Sequence, residues 1–226
     1  MAASTALGRR RIVVLALVAA CALSAAVVAL LVARGGGSSG SDTPAAQAAT
    51  ATPKGGGFLG GEVESPKPAP PIALRDPAGR LVTLQGFRGH PVLVTFLYTN
   101  CPDVCPLTAN RLRATEALLS PSMRKDVRII AVSVDPRHDT PTAVRAFLAR
   151  HGMTGRMDYL IGSAAQLRPT WARWGVSAAT DTTNPNFVAH SALVYGVGAS
   201  GKLLTIYPYN LRPADLAHDV GRLASA

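Results

Sequence analysis

The sequence predicts an α/β domain, a mixed sheet flanked by helices, held behind an amino-terminal transmembrane helix. Three observations carry this prediction. Residues 92–98 (VLVTFLY) and 127–134 (VRIIAVSV) are near-continuous apolar runs rich in β-branched side chains, the pattern of strands buried on both faces. Strand patterns alternate with helical ones from residue 92 to 174, and the chain closes on a hairpin and a helix, which implies a sheet covered on both sides. Residues 12–33 carry no charge, and at 1.5 Å per residue they are long enough to cross a hydrocarbon core of about 30 Å.

The amino-terminal elements come first. Arg9, Arg10 and Arg11 precede the apolar run, so residues 1–11 are expected in the cytoplasm and everything past Arg34 outside it. A cleaved signal peptide would have a shorter apolar region, of about 7–15 residues. Val18-Ala19-Ala20-Cys21 resembles a bacterial lipobox, which makes a lipoprotein anchored at Cys21 the alternative. The run stays apolar to Ala33, beyond that cysteine, and this favours an uncleaved single-pass anchor. The Arg run resembles a twin-arginine signal only faintly. Residues 34–71, rich in Gly, Ser, Ala, Thr and Pro, read as a flexible linker with a root-mean-square reach of roughly 35 Å.

Residues 72–226 then form one domain, long enough to need no metal or disulfide staple for folding. Residues 72–74 and 81–83 read as strands around the turn Asp76-Pro77-Ala78-Gly79. The buried strand at 92–98 is followed by a helix from about 106 to 119, and the strand at 127–134 by a helix at 141–150 that Pro141 opens and Gly152 ends. A short strand covers 159–161. Ser163 caps a helix running to Trp174, which Gly175 stops. Residues 176–188 read as a loop, 189–197 and 202–207 as a hairpin around the turn at 198–201, and Pro213 opens the last helix.

Charge excludes some functions. Six of the 23 basic residues and three of the 13 acidic ones lie before residue 72, so 17 basic and 10 acidic side chains remain for the domain. The arginines are scattered rather than clustered on one helical face, and no nucleic-acid motif appears, so no nucleic-acid partner is expected. Three cysteines are too few for a disulfide scaffold. Cys21 lies in the anchor. Cys101 and Cys105 stand together where the strand at 92–98 gives way to a helix, the end of an open α/β sheet at which ligand sites form.

Pro102 biases Cys101 toward extended backbone, and Pro106 suits a first helical turn, which puts Cys105 at or just before the helix start. A helix amino terminus offers unpaired N–H groups and positive partial charge, and both favour thiolate over thiol. Residues four apart on a helix have Cβ atoms about 5–6 Å apart, so the two sulfurs can chelate one ion or close a disulfide. Two buried apolar cysteines of no chemical consequence would be the plainer reading; the flanking prolines and the strand-to-helix position argue against it.

The stretch Phe96-Leu97-Tyr98-Thr99-Asn100-Cys101-Pro102-Asp103-Val104-Cys105-Pro106 resembles the signature of the Sco/SenC family, thioredoxin-like copper chaperones for cytochrome c oxidase assembly. Residues 132–141 (VSVDPRHDTP) and 188–192 (VAHSA) resemble two further family stretches, and the likeness covers roughly residues 70–224. It implies a thioredoxin-like fold and one copper ion held by Cys101, Cys105 and His190. Two thiolates and an imidazole suit Cu(I), with zinc a distant second. It also implies delivery to the CuA-bearing oxidase subunit, with other copper chaperones or thiol reductants as further partners. The chain therefore reads as a metallochaperone rather than an enzyme. The alternative is a thiol–disulfide oxidoreductase using Cys101 and Cys105 as its redox pair. Against it, the spacer between the cysteines has three residues rather than two, and Ala189-His190 stands where such reductants carry a cis-proline. Asn100 and Ala189 depart from the family pattern, which often has His and Asp there. Asp135 and Asp139 read as outer-shell groups or as turn and capping residues, His138 as near the site or surface-exposed. Asp103 reads as shaping the loop or partner recognition, His90, His151 and His218 as structural or solvated, and Met153, Met157 and Trp171 as packing.

Overall fold

In the computed structural model the described residues are 57–177, 179–180, 188–189 and 192–226. The anchor expected at 12–33, Cys21 and His190 lie outside them. Among the described residues no helix is long and apolar enough to cross a membrane.

In chain order the elements are β1 (Gly61–Glu62), β2 (Ala73–Arg75), β3 (Leu81–Thr83), β4 (Val92–Leu97), α1 (Val104–Leu118), α2 (Pro121–Asp126), β5 (Arg128–Ser133) and α3 (Pro141–Arg150). There follow β6 (Asp158–Leu160), α4 (Ala164–Arg173), β7 (Ala179–Thr180), β8 (Val188–Ala189), β9 (Leu193–Val197), β10 (Leu203–Pro208) and α5 (Pro213–Ala224). Six strands make one sheet in the order β1-β10-β9-β4-β5-β6. β4, β5 and β6 run parallel, and β9, β10 and β1 add antiparallel on the other side of β4. All six residues of β4 are buried, as are the last five of β5, which explains their apolar runs. Phe96, Ile130, Leu112, Phe147, Leu160 and Leu216 are among the core side chains between sheet and helices.

The helices start on side-chain caps. Ser120, Thr140 and Ser163 each accept a backbone N–H from the first turn of α2, α3 and α4. Ser163 and Gln166 complete a reciprocal capping box. Gly175, at φ 65°, turns the chain out of α4 in a conformation that L side chains rarely adopt.

Three expectations change. α2 was not anticipated: six residues with no buried side chain carry no apolar period to read. The strand expected at 189–197 divides. Ala189 belongs to β8, which pairs with β7 in a separate two-stranded ribbon inside the expected loop, and β9 begins at Leu193. Leu193 pairs with Pro208, which has no N–H to carry the ladder further.

The segment expected to be linker up to residue 71 is structured from residue 57. β1 pairs with β10, Ala69 N–H donates to Gly201 O at 2.9 Å, and Leu203 N–H to Lys67 O at 3.0 Å. Asp219 of α5, fully buried, accepts from Leu59 N–H (2.8 Å), Gly60 N–H (2.9 Å), the Tyr207 hydroxyl (2.6 Å) and His218 Nδ1 (2.8 Å). Gly60 lies so close to the Tyr207 ring that a Cβ there would collide with it. These contacts are made largely by main chain, so hydropathy gave no sign of them. Asp219→Ala strands several buried donors and should cost about 3 kcal/mol of stability, read from urea denaturation, with new protease cutting near Leu59. An unchanged midpoint would contradict this role.

Candidate metal centre

The loop at 98–103 leaves the carboxyl end of β4 and is pinned from below. Cys101 N–H donates to Tyr98 O at 3.3 Å, closing a turn. Thr99 N–H donates to Asp139 Oδ1 at 2.8 Å. Asp139 is buried, and its other oxygen accepts the hydroxyls of Ser133 (2.6 Å) and Tyr159 (3.0 Å). Burial raises the Asp139 pKa above the ordinary carboxylate value, with those donors opposing the shift. The loop that carries Cys101 is thus bonded to the end of β5 and to the middle of β6 through one carboxylate.

α1 begins earlier than expected. Asp103 is its cap, accepting Val104 N–H, so Cys105 is its second residue and Pro106 its third. Both cysteines are buried, and no disulfide joins them in this structure. Cys105 N–H points at Cys101 Sγ, 3.3 Å away. The Cys105 thiol, Asp103 N–H and the Tyr98 hydroxyl also donate to that sulfur, and Asp103 Oδ1 lies 3.9 Å from it. The thiol donated by Cys105 is the main reason that the Cys101 pKa falls to about 6, with burial opposing it. Burial is also the main cause that pushes the Cys105 pKa the other way, above its ordinary value, reinforced by the neighbouring Cys101 sulfur. The pair is polarised: a thiolate at Cys101, and a proton-bearing thiol at Cys105 aimed at it.

This geometry can do two things. A ready thiolate with a second sulfur beside it is a soft donor pair for a thiophilic ion such as Cu(I). The same pair can attack a disulfide and then close on itself. Among the described residues no trio of His, Cys, Asp or Glu is placed to hold a metal. The third ligand expected, His190, follows Ala189 of β8 and is outside the described residues.

The remaining candidates settle into supporting roles. His138 is half-buried, its Nδ1 2.7 Å from the buried Asp135. Asn100 is exposed beside Cys101. His90 pairs with Asp126, His151 with Asn110 at 3.2 Å, and His218 with Asp219. Met153, Met157 and Trp171 are core residues, and Trp171 Nε1 donates to Ser133 O at 2.9 Å. Sequence reasoning left the role of Asp139 open and missed Ser133 and Tyr159. The signal was available: a serine and a tyrosine in strands otherwise apolar need buried partners.

The comparisons agree with this architecture. The family model SCO1/SenC matches residues 63–225. The SCO1 protein homolog of Bacillus subtilis is 29% identical over 140 residues, covering 61% of this chain and 72% of that protein. A SCO2-like protein of Rickettsia felis is 26% identical over 149 residues, 63% of this chain and 70% of that one. Among solved structures, apo Sco1 of Thermus thermophilus superposes with a TM-score of 0.63 at 30% identity, covering 74% of this chain and 96% of that one. ScoI of Bradyrhizobium japonicum, solved with copper bound, gives 0.58 at 28% identity, covering 70% and 99%. The structure of BsSco, described as containing a disulfide switch and as a member of the Sco family of cytochrome c oxidase assembly proteins, gives 0.56 at 27%, covering 74% and 96%. With a match spanning the structured domain and a polarised cysteine pair on its sheet end, the chain belongs to the SCO1/SenC family.

Proposed function

We propose that the chain is a membrane-anchored metallochaperone that holds one Cu(I) outside the cytoplasm and passes it to the CuA-bearing subunit of cytochrome c oxidase. The observation that carries this reading is the polarised sulfur pair. Cys101 is a thiolate near neutral pH, so it takes Cu(I) without first losing a proton. Cys105 then gives up its proton to join, and the neutral imidazole of His190 completes the set. Two sulfurs and one nitrogen leave the ion open to a partner's ligand, as transfer requires. Copper in the Bradyrhizobium japonicum relative and the assembly role named for the family of BsSco support the reading. Residues 12–33 serve as an uncleaved anchor with the amino terminus inside; an intact mass that includes residues 1–20 is expected, and a lipidated amino-terminal Cys21 would replace the anchor with a lipoprotein.

A second reading draws on the same pair. Cys101 thiolate would attack a partner disulfide, and Cys105 would lose its proton, attack the Cys101 sulfur and release the partner as a dithiol. The chain's own pair ends oxidised and awaits an external dithiol reductant. One experiment separates the two: the reduced full chain is titrated with Cu(I) against a competing chelator and, in parallel, given a peptide disulfide. One copper per chain, lost on Cys101→Ser and weakened at least about tenfold by His190→Ala, is expected. No copper retention together with rapid peptide reduction would assign the oxidoreductase.

A further inference from the structure

At the pole of the sheet opposite the cysteines, where β5 and β6 begin, lies a cavity of about 710 Å³. Its walls bring together Arg80, Arg124, Lys125, Arg128, Arg145 and Arg156 from the β2–β3 turn, α2, the start of β5, α3 and the approach to β6. Asp76, Glu116 and Asp158 also line it. Asp76 is spent on Arg80, 2.7 Å away, and on the N–H groups of its own turn. That leaves five cations facing two carboxylates.

Most of these cations are loosely held. Arg124 donates to the carbonyls of Glu116, Ala117 and Leu119, closing the end of α1, but it keeps its charge. Arg156 forms a long ion pair with Glu116 at 3.6 Å, and the exposed Arg145 reaches Pro77 O at 3.5 Å and Thr142 Oγ1 at 3.3 Å, with no carboxylate partner of its own among the described residues. Arg128 stacks over Phe87 at 5.9 Å, and its Nε, fully buried, has no hydrogen-bond partner among the described residues. A buried guanidinium donor is costly to leave unpaired, and a concentration of like charge in a concave site is costly to leave uncompensated. A tetrahedral anion with several acceptor oxygens relieves both, because guanidinium groups match its geometry.

We propose that this cavity binds a phosphate-bearing anion, with Arg128 as its inner contact and Lys125, Arg145 and Arg156 as its rim. The shared chemistry is the phosphoryl oxyanion. Its source is either free phosphate or the phosphodiester headgroup of an anionic lipid. The site shares no residue with the cysteine centre, so it stands or falls independently of copper handling.

The test is calorimetric titration of the full chain, kept in neutral detergent at constant ionic strength, with inorganic phosphate and separately with glycerophosphoglycerol. Saturable binding is expected, weakened at least tenfold by Arg128→Gln and by the combined K125Q/R145Q/R156Q variant. The second variant changes exposed side chains only, so it answers even where loss of Arg128 disturbs folding. Tighter binding of inorganic phosphate assigns the free anion; tighter binding of the phosphodiester assigns the headgroup. No saturation with either probe, or saturation that both variants leave unchanged, overturns the proposal.

Discussion

Cys105→Ser should make the Cys101 sulfur a poorer thiolate and abolish copper retention in one step. In the wild type, alkylation of Cys101 should follow a single titration with a midpoint near pH 6. The Cys105 thiol is the largest cause of that low value, so removing it should move the midpoint up toward an ordinary thiol, measured as the pH dependence of the iodoacetamide rate. Serine keeps a hydroxyl donor, so Cys105→Ala should shift the midpoint further. Copper affinity should fall by more than about a hundredfold in either variant, since even outer-shell losses cost 10–100-fold. The sign for stability follows. A pKa depressed on folding stabilises above the unfolded value near 9 and loses that contribution as pH falls through about 6. The reduced wild type should therefore lose this contribution between pH 9 and 5, and Cys101→Ser should not. A midpoint unmoved by Cys105→Ala would remove the polarised pair from the account.

Asp139→Ala should be the most damaging change outside the cysteines. It leaves the Ser133 and Tyr159 hydroxyls and Thr99 N–H buried without their acceptor, at about 1–3 kcal/mol each. A loss of about 3–5 kcal/mol in chemical denaturation is expected. The variant should also loosen the loop, so that alkylation of Cys101 speeds up above its titration midpoint. The pH dependence has the opposite sign to that of Cys101. Burial raises the Asp139 pKa, so its contribution is fullest below the unfolded value of 3.8 and declines as pH rises through the folded one. Asp139→Asn, neutral at every pH, should flatten that decline. A full-strength fold in Asp139→Ala would show that the carboxylate is not the tie between loop and sheet.

Much of this was legible in the residues. The near-continuous apolar runs of β4 and β5 announced strands buried on both faces, and Ser163 announced the start of α4. The cysteine pair was legible because prolines and a strand end bracket it. Its exact footing was not: Pro106 looked like the helix opener, whereas the Asp103 side chain starts α1 earlier, and the sequence offers both signals at once. The ordered course of residues 57–71 escaped because its stabilising contacts run through backbone groups to Asp219, β10 and the turn after β9, which no hydropathy pattern records. β9 begins where it does because of Pro208 on its neighbour, a long-range fact. Asp139 hid behind Thr140 and Pro141: an Asp-Thr-Pro sequence reads as a helix cap, and Thr140 is indeed that cap, which freed Asp139 for the loop.

The central claim is that Cys101, Cys105 and His190 together hold one Cu(I). X-ray absorption spectroscopy of the reduced, copper-loaded full chain tests it most directly, alongside the same spectrum for His190→Ala. The account predicts one copper per chain with two sulfur neighbours and one nitrogen neighbour, the nitrogen lost in the variant. A spectrum with two sulfurs and no nitrogen, identical in wild type and variant, would contradict it.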